Sequence, residues 1–348
     1  MNKISLGIVG GGQLGSLIAT AAKKLQIKTV ILCDDKNAPG KIFCDEFIYG
    51  GYEDKAILNL FLEKVDVITY EFENIPFETL NYLNNNKKVN PSPKINRIVQ
   101  NRMYEKDFIN KCNIRTTIYD QIKDKEQLKY SSNLIPGILK TCTMGYDGRG
   151  QHKINSVEDI DRLNIDFKID YILEKMVNLK KEVSVIITRY GHQQYEIYEP
   201  IENLHEDQIL KNSKIPADIS EDLSQKAIDW AGTIAEELGY IGTMCVEYFI
   251  DQNDNLYVNE IAPRVHNSGH LTINAYNVSQ FENHVRSVCN LERIKLKKLS
   301  NAKMINLIGN DIKIYRNKKL NDGEFFYDYM KQEIKEKRKM GHLTILVN

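Results

Sequence analysis

Three glycines, Gly10, Gly12 and Gly15, lie between a strand pattern and a helix pattern near the start of the chain. Residues 4–9 form a short apolar, β-branched run, and leucine, isoleucine and alanine then recur at helical spacing from Leu14 onward. A strand that leads through a glycine turn into a helix opens a βα unit, whose next strand runs parallel to the first. The pattern predicts an α/β fold with right-handed crossovers.

Later segments extend this prediction to a first domain. Residues 28–33 and 65–70 repeat the strand signal. The polar tract at residues 84–88, followed by Pro91 and Pro93, is typical of a domain exit. At 348 residues the chain is long for one hydrophobic core, so we expect two or three domains.

The middle of the chain mixes helices and strands. A helix carries Arg102 and Lys106, whose spacing of four residues places both cations on one face. Residues 224–238 are the clearest helix, and Gly239 is positioned to end it. Strand-like segments occupy most of the region between these helices: residues 137–140, 171–174 and 182–187.

Composition excludes several classes of protein. The 47 basic and 47 acidic residues cancel, which argues against a general nucleic-acid or membrane-surface binder. The six cysteines show no CxxC pair or zinc spacing, which favours reduced thiols in a cytosolic protein. The first apolar run is too short for a signal peptide, and no segment approaches the roughly eighteen apolar residues of a membrane span. We therefore expect a cytoplasmic protein.

Two strand patterns, residues 243–250 and 256–261, are joined by a polar turn. If Asp251 pairs with Leu256, Glu247 lies directly opposite Glu260 on one face of the hairpin. Two carboxylates this close repel unless a divalent cation lies between them or one is protonated. Oxygen ligands suit Mg2+, which also shares substrate phosphates. On a lone hairpin, two solvent-facing edge carboxylates would be the simpler interpretation.

The twelve residues from 259 to 270 argue against this simpler interpretation. They contain a carboxylate, a guanidinium, two imidazoles and two amides, a set that no ordinary core or surface requires: Glu260, Arg264, His266, His270, Asn259 and Asn267. This density of polar groups after the carboxylate hairpin favours a metal and anion site over exposed edge charges.

Two glycine-rich loops could bind phosphate. The first, with Asp34 or Asp35 about twenty residues further on, also fits a dinucleotide site, so a nicotinamide oxidoreductase is an alternative. Amides at a helix start can, however, approach any phosphate. The second, residues 145–151, follows Lys140 and is either a loop over polyphosphate or a flexible hairpin turn. Its position between a strand lysine and the carboxylate hairpin favours nucleotide binding.

Six motifs together resemble a known family. They are residues 10–15, 70–76, 145–151, 259–270, 304–309 and 338–342. In order and spacing they are similar to the 5-(carboxyamino)imidazole ribonucleotide synthases, ATP-grasp enzymes of purine biosynthesis. The resemblance runs from the first strand to about His342.

The resemblance implies ATP-dependent carboxylation of 5-aminoimidazole ribonucleotide by bicarbonate, through carboxyphosphate, with ATP and Mg2+ as cofactors. It also implies a three-part α/β fold and a homodimer, and the balanced charge noted above argues against nucleic-acid or membrane partners. The expected parts are a Rossmann-like N-terminal domain, an ATP-grasp domain with a mobile lid at about residues 110–177, and a small C-terminal domain, spanning residues 1–99, 100–292 and 293–348.

The family motifs carry functional roles onto matching positions of this sequence. Glu247 and Glu260 would hold magnesium. Catalytic roles in orienting bicarbonate and stabilising carboxyphosphate would fall to Arg264, His266 and Asn267, with Asp147 from the loop. ATP-binding residues would be Arg102, Lys140, Gly145, Tyr146, Asp147, Gly148, Arg149, Gly150, Gln151, Glu174, Lys175, Met176, Val177, Glu182, His205, Asn259 and Glu260. In this set residues 174–177 are the adenine hinge, reached through backbone groups, and Glu182 meets the ribose.

The ribonucleotide would lie across the domain junction. The residues implied to bind it are Gln13, Leu14, Glu73, Tyr146, Arg149, Lys335, Arg338 and Lys339. Simpler roles exist for three of the sites: Glu73 as an acid at a helix start, His205 as a surface residue, and the terminal lysines as solvated charge.

The sequence departs from the family pattern near its end. Lys335, Glu336 and Lys337 stand where members commonly show Arg-Pro-Gly, and lysine cannot reproduce the bidentate arginine fork. Relatives also usually continue beyond the position of Asn348, so the C-terminal domain is shorter here or the sequence is truncated. Another ATP-grasp ligase or formate-using transformylase, and a non-catalytic nucleotide sensor, are the remaining alternatives.

Overall fold

The computed structural model describes residues 4–143 and 150–347. Five residues assigned to the loop over ATP therefore lie outside the described residues: Gly145, Tyr146, Asp147, Gly148 and Arg149. Gly150 has a φ of 69°, a conformation that glycine adopts at little cost, and Gln151 begins the strand that follows.

The N-terminal part is a four-stranded parallel sheet in the order β3-β2-β1-β4, as the glycine turn and strand spacing predict. The polar tract at residues 84–88 is not yet an exit from this part, because Val89 returns to bridge Ile68 of the sheet. The elements are β1 (Ser5–Val9), α1 (Gln13–Lys24), β2 (Lys28–Cys33), α2 (Gly40–Phe43), β3 (Glu46–Tyr49), α3 (Lys55–Leu62), β4 (Val67–Tyr70), α4 (Phe77–Asn84) and α5 (Pro93–Val99).

A second, antiparallel sheet of four strands follows, in the order β5-β8-β6-β7. It encloses its own small apolar core, which includes Ile122, Leu139 and Leu173. This unit falls within the residues expected to form the lid. Its elements, with the helix that leads into it, are α6 (Arg102–Lys111), β5 (Tyr119–Ile122), α7 (Lys125–Tyr130), β6 (Gly137–Thr141), β7 (Gln151–Ile154), α8 (Val157–Arg162) and β8 (Tyr171–Lys175).

The largest sheet has nine strands, in the order β14-β13-β9-β11-β12-β15-β17-β16 with β10 paired to β9. The C-terminal strands do not form a sheet of their own, because β15 pairs with β12 and continues the central one. The elements are β9 (Leu179–Gly191), β10 (Gln194–Ile197), β11 (Ile201–Glu206), β12 (Ile209–Ile215), α9 (Glu221–Glu237), β13 (Gly242–Asp251), β14 (Leu256–Ala262), α10 (Thr272–Ala275), α11 (Gln280–Val288), β15 (Asn301–Ile308), α12 (Asp311–Arg316), β16 (Glu324–Asp328) and β17 (Lys339–Val347).

Helix α9 is the element predicted at residues 224–238, and it begins three residues earlier because Ser220 caps it by accepting from Leu223 N–H. Its fully buried stripe includes Ala227, Ala231 and Ile234, packed against β9 and β13. Burying a side chain the size of Ile234 stabilises the fold by about 1.5–3 kcal/mol. Across residues 4–143 and 150–347, the helices are too short or too polar to traverse a bilayer.

Candidate active site

The carboxylate hairpin has the predicted facing pair but not the predicted register at its turn. Leu256 pairs with Ile250 rather than with Asp251, which instead donates its N–H to Asn255 O at 3.1 Å. A bulge then shifts the pairing by one residue, so that Glu247 does lie opposite Glu260. The prediction of the pair is confirmed, whereas the turn pairing from which it was reasoned is wrong, because the bulge inserts Asn259 into β14.

Each carboxylate of the pair has a nitrogen partner. His266 Nε2 lies 2.8 Å from Glu247 Oε1, and Arg102 donates to Glu260 Oε2 at 3.0 Å. Burial would raise the pKa of Glu247, but His266 and its neighbours outweigh that effect and lower it to about 2. The amide oxygen of Asn259 is buried and accepts no hydrogen bond from any residue that the structure describes. The hairpin therefore contains two facing carboxylates and, next to Glu260, a residue with an unused amide oxygen.

Three cations gather beside this pair around one buried acid, Glu174. Lys140 Nζ lies 3.0 Å and Lys106 Nζ 3.2 Å from its two carboxylate oxygens. Burial alone would raise the pKa of Glu174, yet the two lysines hold it far below the ordinary range. Arg102 completes the set at the start of α6. Removing bound polyphosphate from water requires such a preformed positive cluster.

The predicted adenine hinge lies at the end of β8. The N–H groups of Lys175 and Met176 donate to the carbonyls of Ile118 and Pro136, both at 2.9 Å. Glu174, expected to act through its backbone, has a second role in the structure, because its side chain pairs with the lysines.

The expected ribose acid also has a partner. Glu182 Oε2 lies 2.7 Å from His205 Nδ1, on strands β9 and β11. The His205 side chain is one-quarter exposed. Burial would lower its pKa, but the Glu182 carboxylate outweighs burial and raises it. His205 is therefore a partly buried partner of Glu182 rather than a free surface residue.

Arg264 crosses from the segment after β14 to the N-terminal part of the chain. Its guanidinium grips Glu73 with two hydrogen bonds, one from Nε and one from Nη2 at 3.1 Å. Burial would raise the pKa of Glu73, but the paired guanidinium lowers it overall. A bidentate pair of this kind is the geometry for which arginine is suited. It joins a residue assigned to bicarbonate to a residue assigned to the ribonucleotide.

The first glycine loop holds a carboxylate of the chain itself. Glu71, at the end of β4, accepts hydrogen bonds from Gly12 N–H and, at 2.6 Å, from Gly15 N–H. A Cβ on Gly12 would lie 2.7 Å from a Glu71 carboxylate oxygen, and one on Gly15 would lie 2.6 Å from Gly10 O. These contacts explain the spacing of the glycines. Because Glu71 occupies the amides of Gly12 and Gly15, the helix-start amides that could bind a phosphate are those of Gln13 and Leu14.

Gln13 projects into the junction between the N-terminal and C-terminal parts. Its amide contacts His270 Nε2 at 2.7 Å, and its side-chain oxygen accepts from Lys331 Nζ at 3.3 Å. Asn267 lies in the same segment as His270, where its side-chain oxygen accepts from Asn306 at 2.5 Å. The amide nitrogen of Asn267 is buried, and the Asn267 side chain is a hydrogen-bonding neighbour of Tyr329.

The terminal cations separate into two groups. Lys339 begins β17 and is close enough to His205 and His270 to affect the pKa of both. Lys335 is 62% exposed and pairs with Glu333 at 3.2 Å, while Arg338 donates to the Glu333 carbonyl. The structure thus brings Lys339 to the junction and leaves Lys335 on the surface.

Comparisons with known proteins cover the whole chain. A ribonucleotide synthetase preATP-grasp domain matches residues 1–100, an ATP-grasp domain residues 107–281, and a phosphoribosylaminoimidazole carboxylase C-terminal domain residues 302–348. An N5-carboxyaminoimidazole ribonucleotide synthase of Bacillus subtilis is 36% identical over 98% of this chain and 91% of that protein. The chain belongs to the N5-carboxyaminoimidazole ribonucleotide synthase family. The family's enzymes are ATP-dependent ligases of the ATP-grasp class.

Solved structures of this family have the same fold. An ADP complex of an N5-carboxyaminoimidazole ribonucleotide synthetase matches with a TM-score of 0.94 and 38% identity, over 100% of this chain and 94% of that one. The Staphylococcus aureus enzyme with ADP has a TM-score of 0.92 and 36% identity, covering 99% and 94%. The Aspergillus clavatus enzyme, solved with ADP and 5-aminoimidazole ribonucleotide, has a TM-score of 0.91 and 27% identity over 99% and 94%.

The structure adds three residues to the site to which the sequence assigned no role: Glu71, Lys331 and Glu105. Burial and the nearby Glu260 charge raise the pKa of Glu105 to about 8, and its carboxyl group accepts from Ile261 N–H at 2.6 Å. One signal was available for Glu71, because it ends the strand beside β1 and the carboxyl ends of parallel strands meet at one edge.

Proposed function

We propose that this chain carboxylates the amine of 5-aminoimidazole ribonucleotide with bicarbonate, at the expense of ATP, in purine biosynthesis. One observation carries the proposal: a facing carboxylate pair with an unused amide oxygen beside a three-cation cluster, in a chain of this family. The complex of the Aspergillus clavatus relative with ADP and 5-aminoimidazole ribonucleotide supports the substrates.

Glu247, Glu260 and Asn259 would hold magnesium. Two carboxylates and an amide oxygen are hard ligands that Mg2+ accepts, and they fit the charge of the site. Magnesium bound to ATP supplies charge neutralisation on the phosphates during phosphoryl transfer. Glu247 and Glu260 each have a nitrogen partner in the structure, His266 and Arg102, which holds the carboxylates in place before the metal arrives.

Arg102 and Lys140, with Lys106 as their neighbour, would bind the ATP phosphates. Their cluster is held by Glu174, so lysine ammonium groups are already positioned when polyphosphate enters. Residues 174–177 would meet adenine, with Glu182 and His205 beside the ribose. By resemblance, residues 145–151 would cover the phosphates.

Bicarbonate would lie near Arg264, His266 and Asn267. His266 is fixed between Glu247 and Ser268, with Nδ1 2.9 Å from Ser268 Oγ. The buried Asn267 amide nitrogen is a suitable donor to an anionic oxygen. We infer that the site activates bicarbonate as carboxyphosphate. The ribonucleotide amine then attacks either carboxyphosphate itself or the carbon dioxide released from it.

The ribonucleotide would bind at the junction beside Gln13, Leu14, Glu73 and Lys339. Glu73 can accept from the substrate amine, and its pairing with Arg264 holds it next to the bicarbonate site. Lys339 would bind the phosphate, with Arg338 less directly and Lys335 only after a rearrangement. Resemblance adds Tyr146, Asp147 and Arg149 from the loop.

We further propose the domain limits 1–99, 100–292 and 293–348, with a mobile lid at about residues 110–177. Cytoplasmic location and a homodimer are proposed on the same resemblance, and the balanced charge supports a protein that acts on small molecules.

ADP release at fixed bicarbonate tests the function directly. We expect release to depend on 5-aminoimidazole ribonucleotide and on Mg2+, and the product to carry the carboxyl group of labelled bicarbonate. Phosphate release driven equally by another acid or amine would instead support a different ATP-grasp ligase. Binding of ATP with no release under any of these conditions would indicate a nucleotide sensor.

A further inference from the structure

A thiol, a carboxylate and an imidazole converge beside the carboxylate pair. Cys245 Sγ, a carboxylate oxygen of Glu247 and a ring nitrogen of His266 all lie within 4.8 Å of one another. Cys245 and Glu247 are two residues apart on β13, so their side chains project from the same face of the sheet. His266 reaches the same point from the segment that follows β14.

This donor set differs in kind from the one proposed for magnesium. Sulfur and imidazole ligands suit Zn2+ and related cations, whereas Mg2+ is bound by oxygen. Zinc bonds of about 2.0–2.3 Å place ligand atoms roughly 3.5 Å apart in a tetrahedral site. The three donor atoms lie within 4.8 Å of one another, so binding of such a cation would draw them closer together.

The burial of the three residues leaves one side open. Cys245 is fully buried, whereas the side chains of Glu247 and His266 are each 14% exposed. The thiol therefore forms the floor of the cluster, and a cation would enter from the cleft. Three protein ligands with an open fourth position are the arrangement of a zinc site that keeps water or substrate bound.

We propose that Cys245, Glu247 and His266 form a binding site for Zn2+ or a similar thiophilic divalent cation, and that occupancy inhibits the enzyme. Binding releases the thiol proton to solvent as the sulfur becomes a ligand. Zinc then withdraws Glu247 from magnesium and His266 from bicarbonate. The inhibition rests on the proposed function, but the binding does not.

Cobalt reports binding without any turnover, because a cobalt–thiolate bond has its own near-ultraviolet absorption. We expect the full-length protein titrated with Co2+ to develop this band and added Zn2+ to remove it. Cys245→Ser should lose the band. The matched variant Cys112→Ser should keep it, since Cys112 is a half-buried thiol at the end of α6. A band that survives in Cys245→Ser, or disappears in Cys112→Ser, overturns the site.

Zinc inhibition of ADP release tests the consequence. We expect Cys245→Ser to retain turnover in magnesium and to require at least about tenfold more zinc for half-inhibition, the lower end of what a lost partner costs a metal site. Cys245→Ala is the second variant should the serine hydroxyl disturb folding. Equal zinc sensitivity of wild type and both variants refutes the inhibitory role. A protein that shows the cobalt band yet has no carboxylase activity would refute only the proposed function.

Discussion

Replacement of Glu71 tests whether the first glycine loop is built to hold a carboxylate. In the structure Glu71 is only 6% exposed and accepts from two backbone N–H groups, those of Gly12 and Gly15. Glu71→Ala leaves both amides at the start of α1 without an acceptor. An unsatisfied buried donor costs about 1–3 kcal/mol. Against this, the variant no longer has to bury a carboxylate, whose pKa burial raises.

The balance favours destabilisation. Two lost charge-assisted hydrogen bonds, partly offset by the relieved burial of charge, give an expected loss of about 2–4 kcal/mol for Glu71→Ala. Glu71→Gln keeps one acceptor oxygen but turns its NH2 group toward the other amide, so we expect roughly half that loss. Glu78→Gln is the matched control, because Glu78 is an exposed acid in the first turn of α4.

Urea denaturation followed by circular dichroism gives the stabilities, and the KM values for ribonucleotide and ATP show where the damage falls. We expect the KM for the ribonucleotide to rise more than that for ATP, because Gln13 begins the helix that Glu71 caps. If Glu71→Ala unfolds at the wild-type midpoint, water satisfies these amides and the carboxylate is not the cap. If the variant instead gains affinity for a dinucleotide, the loop is a phosphate site that Glu71 merely blocks.

Three further outcomes follow from the site and its surroundings. Glu260→Gln should lower turnover at least about 100-fold at limiting magnesium with an unchanged fold, and wild-type phosphate release would refute the metal assignment. Lys339→Ala should raise the KM for the ribonucleotide roughly tenfold or more while Lys335→Ala has little effect, and equal effects would move the phosphate site. Burial lowers the pKa of His284 from 6.5 to about 3, so the folded protein keeps this ring neutral. Protonation of the ring would remove the acceptor that His284 Nδ1 offers to Thr243 N–H. The unfolded chain takes up that proton near pH 6.5, so the free energy of unfolding should fall by up to about 1.4 kcal/mol per pH unit below this value. Urea titrations at pH 7 and 5 should show a smaller fall in the free energy of unfolding for His284→Gln than for the wild type.

Local patterns predicted the elements that depend on neighbouring residues. The parallel first sheet follows from strand, glycine turn and helix in sequence, and α9 follows from its apolar stripe and its glycine stop. The pairing of β12 with β15 joins residues about ninety positions apart. No periodicity encodes such a contact, so the sequence did not indicate that the strands of the C-terminal domain extend the central sheet.

The residues of the candidate site were likewise predictable from local motifs, whereas their long-range contacts were not. Motif spacing identified Glu247, Glu260 and Arg264, each of which the structure brings to the cleft. It could not indicate that Arg264 pairs with Glu73, because their separation of 191 residues is bridged only by the packing of the N-terminal part against the central sheet. Nor could it assign the side chain of Glu174, since a strand residue's ion pairs depend on which helix covers it.

The bulge in β14 explains why the facing pair of Glu247 and Glu260 was predicted correctly from a turn register that the structure does not have. The four-residue loop assumed from sequence and the observed turn differ by one residue, and an uninterrupted ladder would have set Glu247 opposite Asn259. A slip of one residue moves a side chain to the other face of a sheet, so that Glu260 would have turned away from Glu247. The extra residue, Asn259, restores the facing geometry, and its own buried amide oxygen accepts from none of the described residues. The bulge is thus the feature of the backbone that sets the two carboxylates opposite each other across β13 and β14.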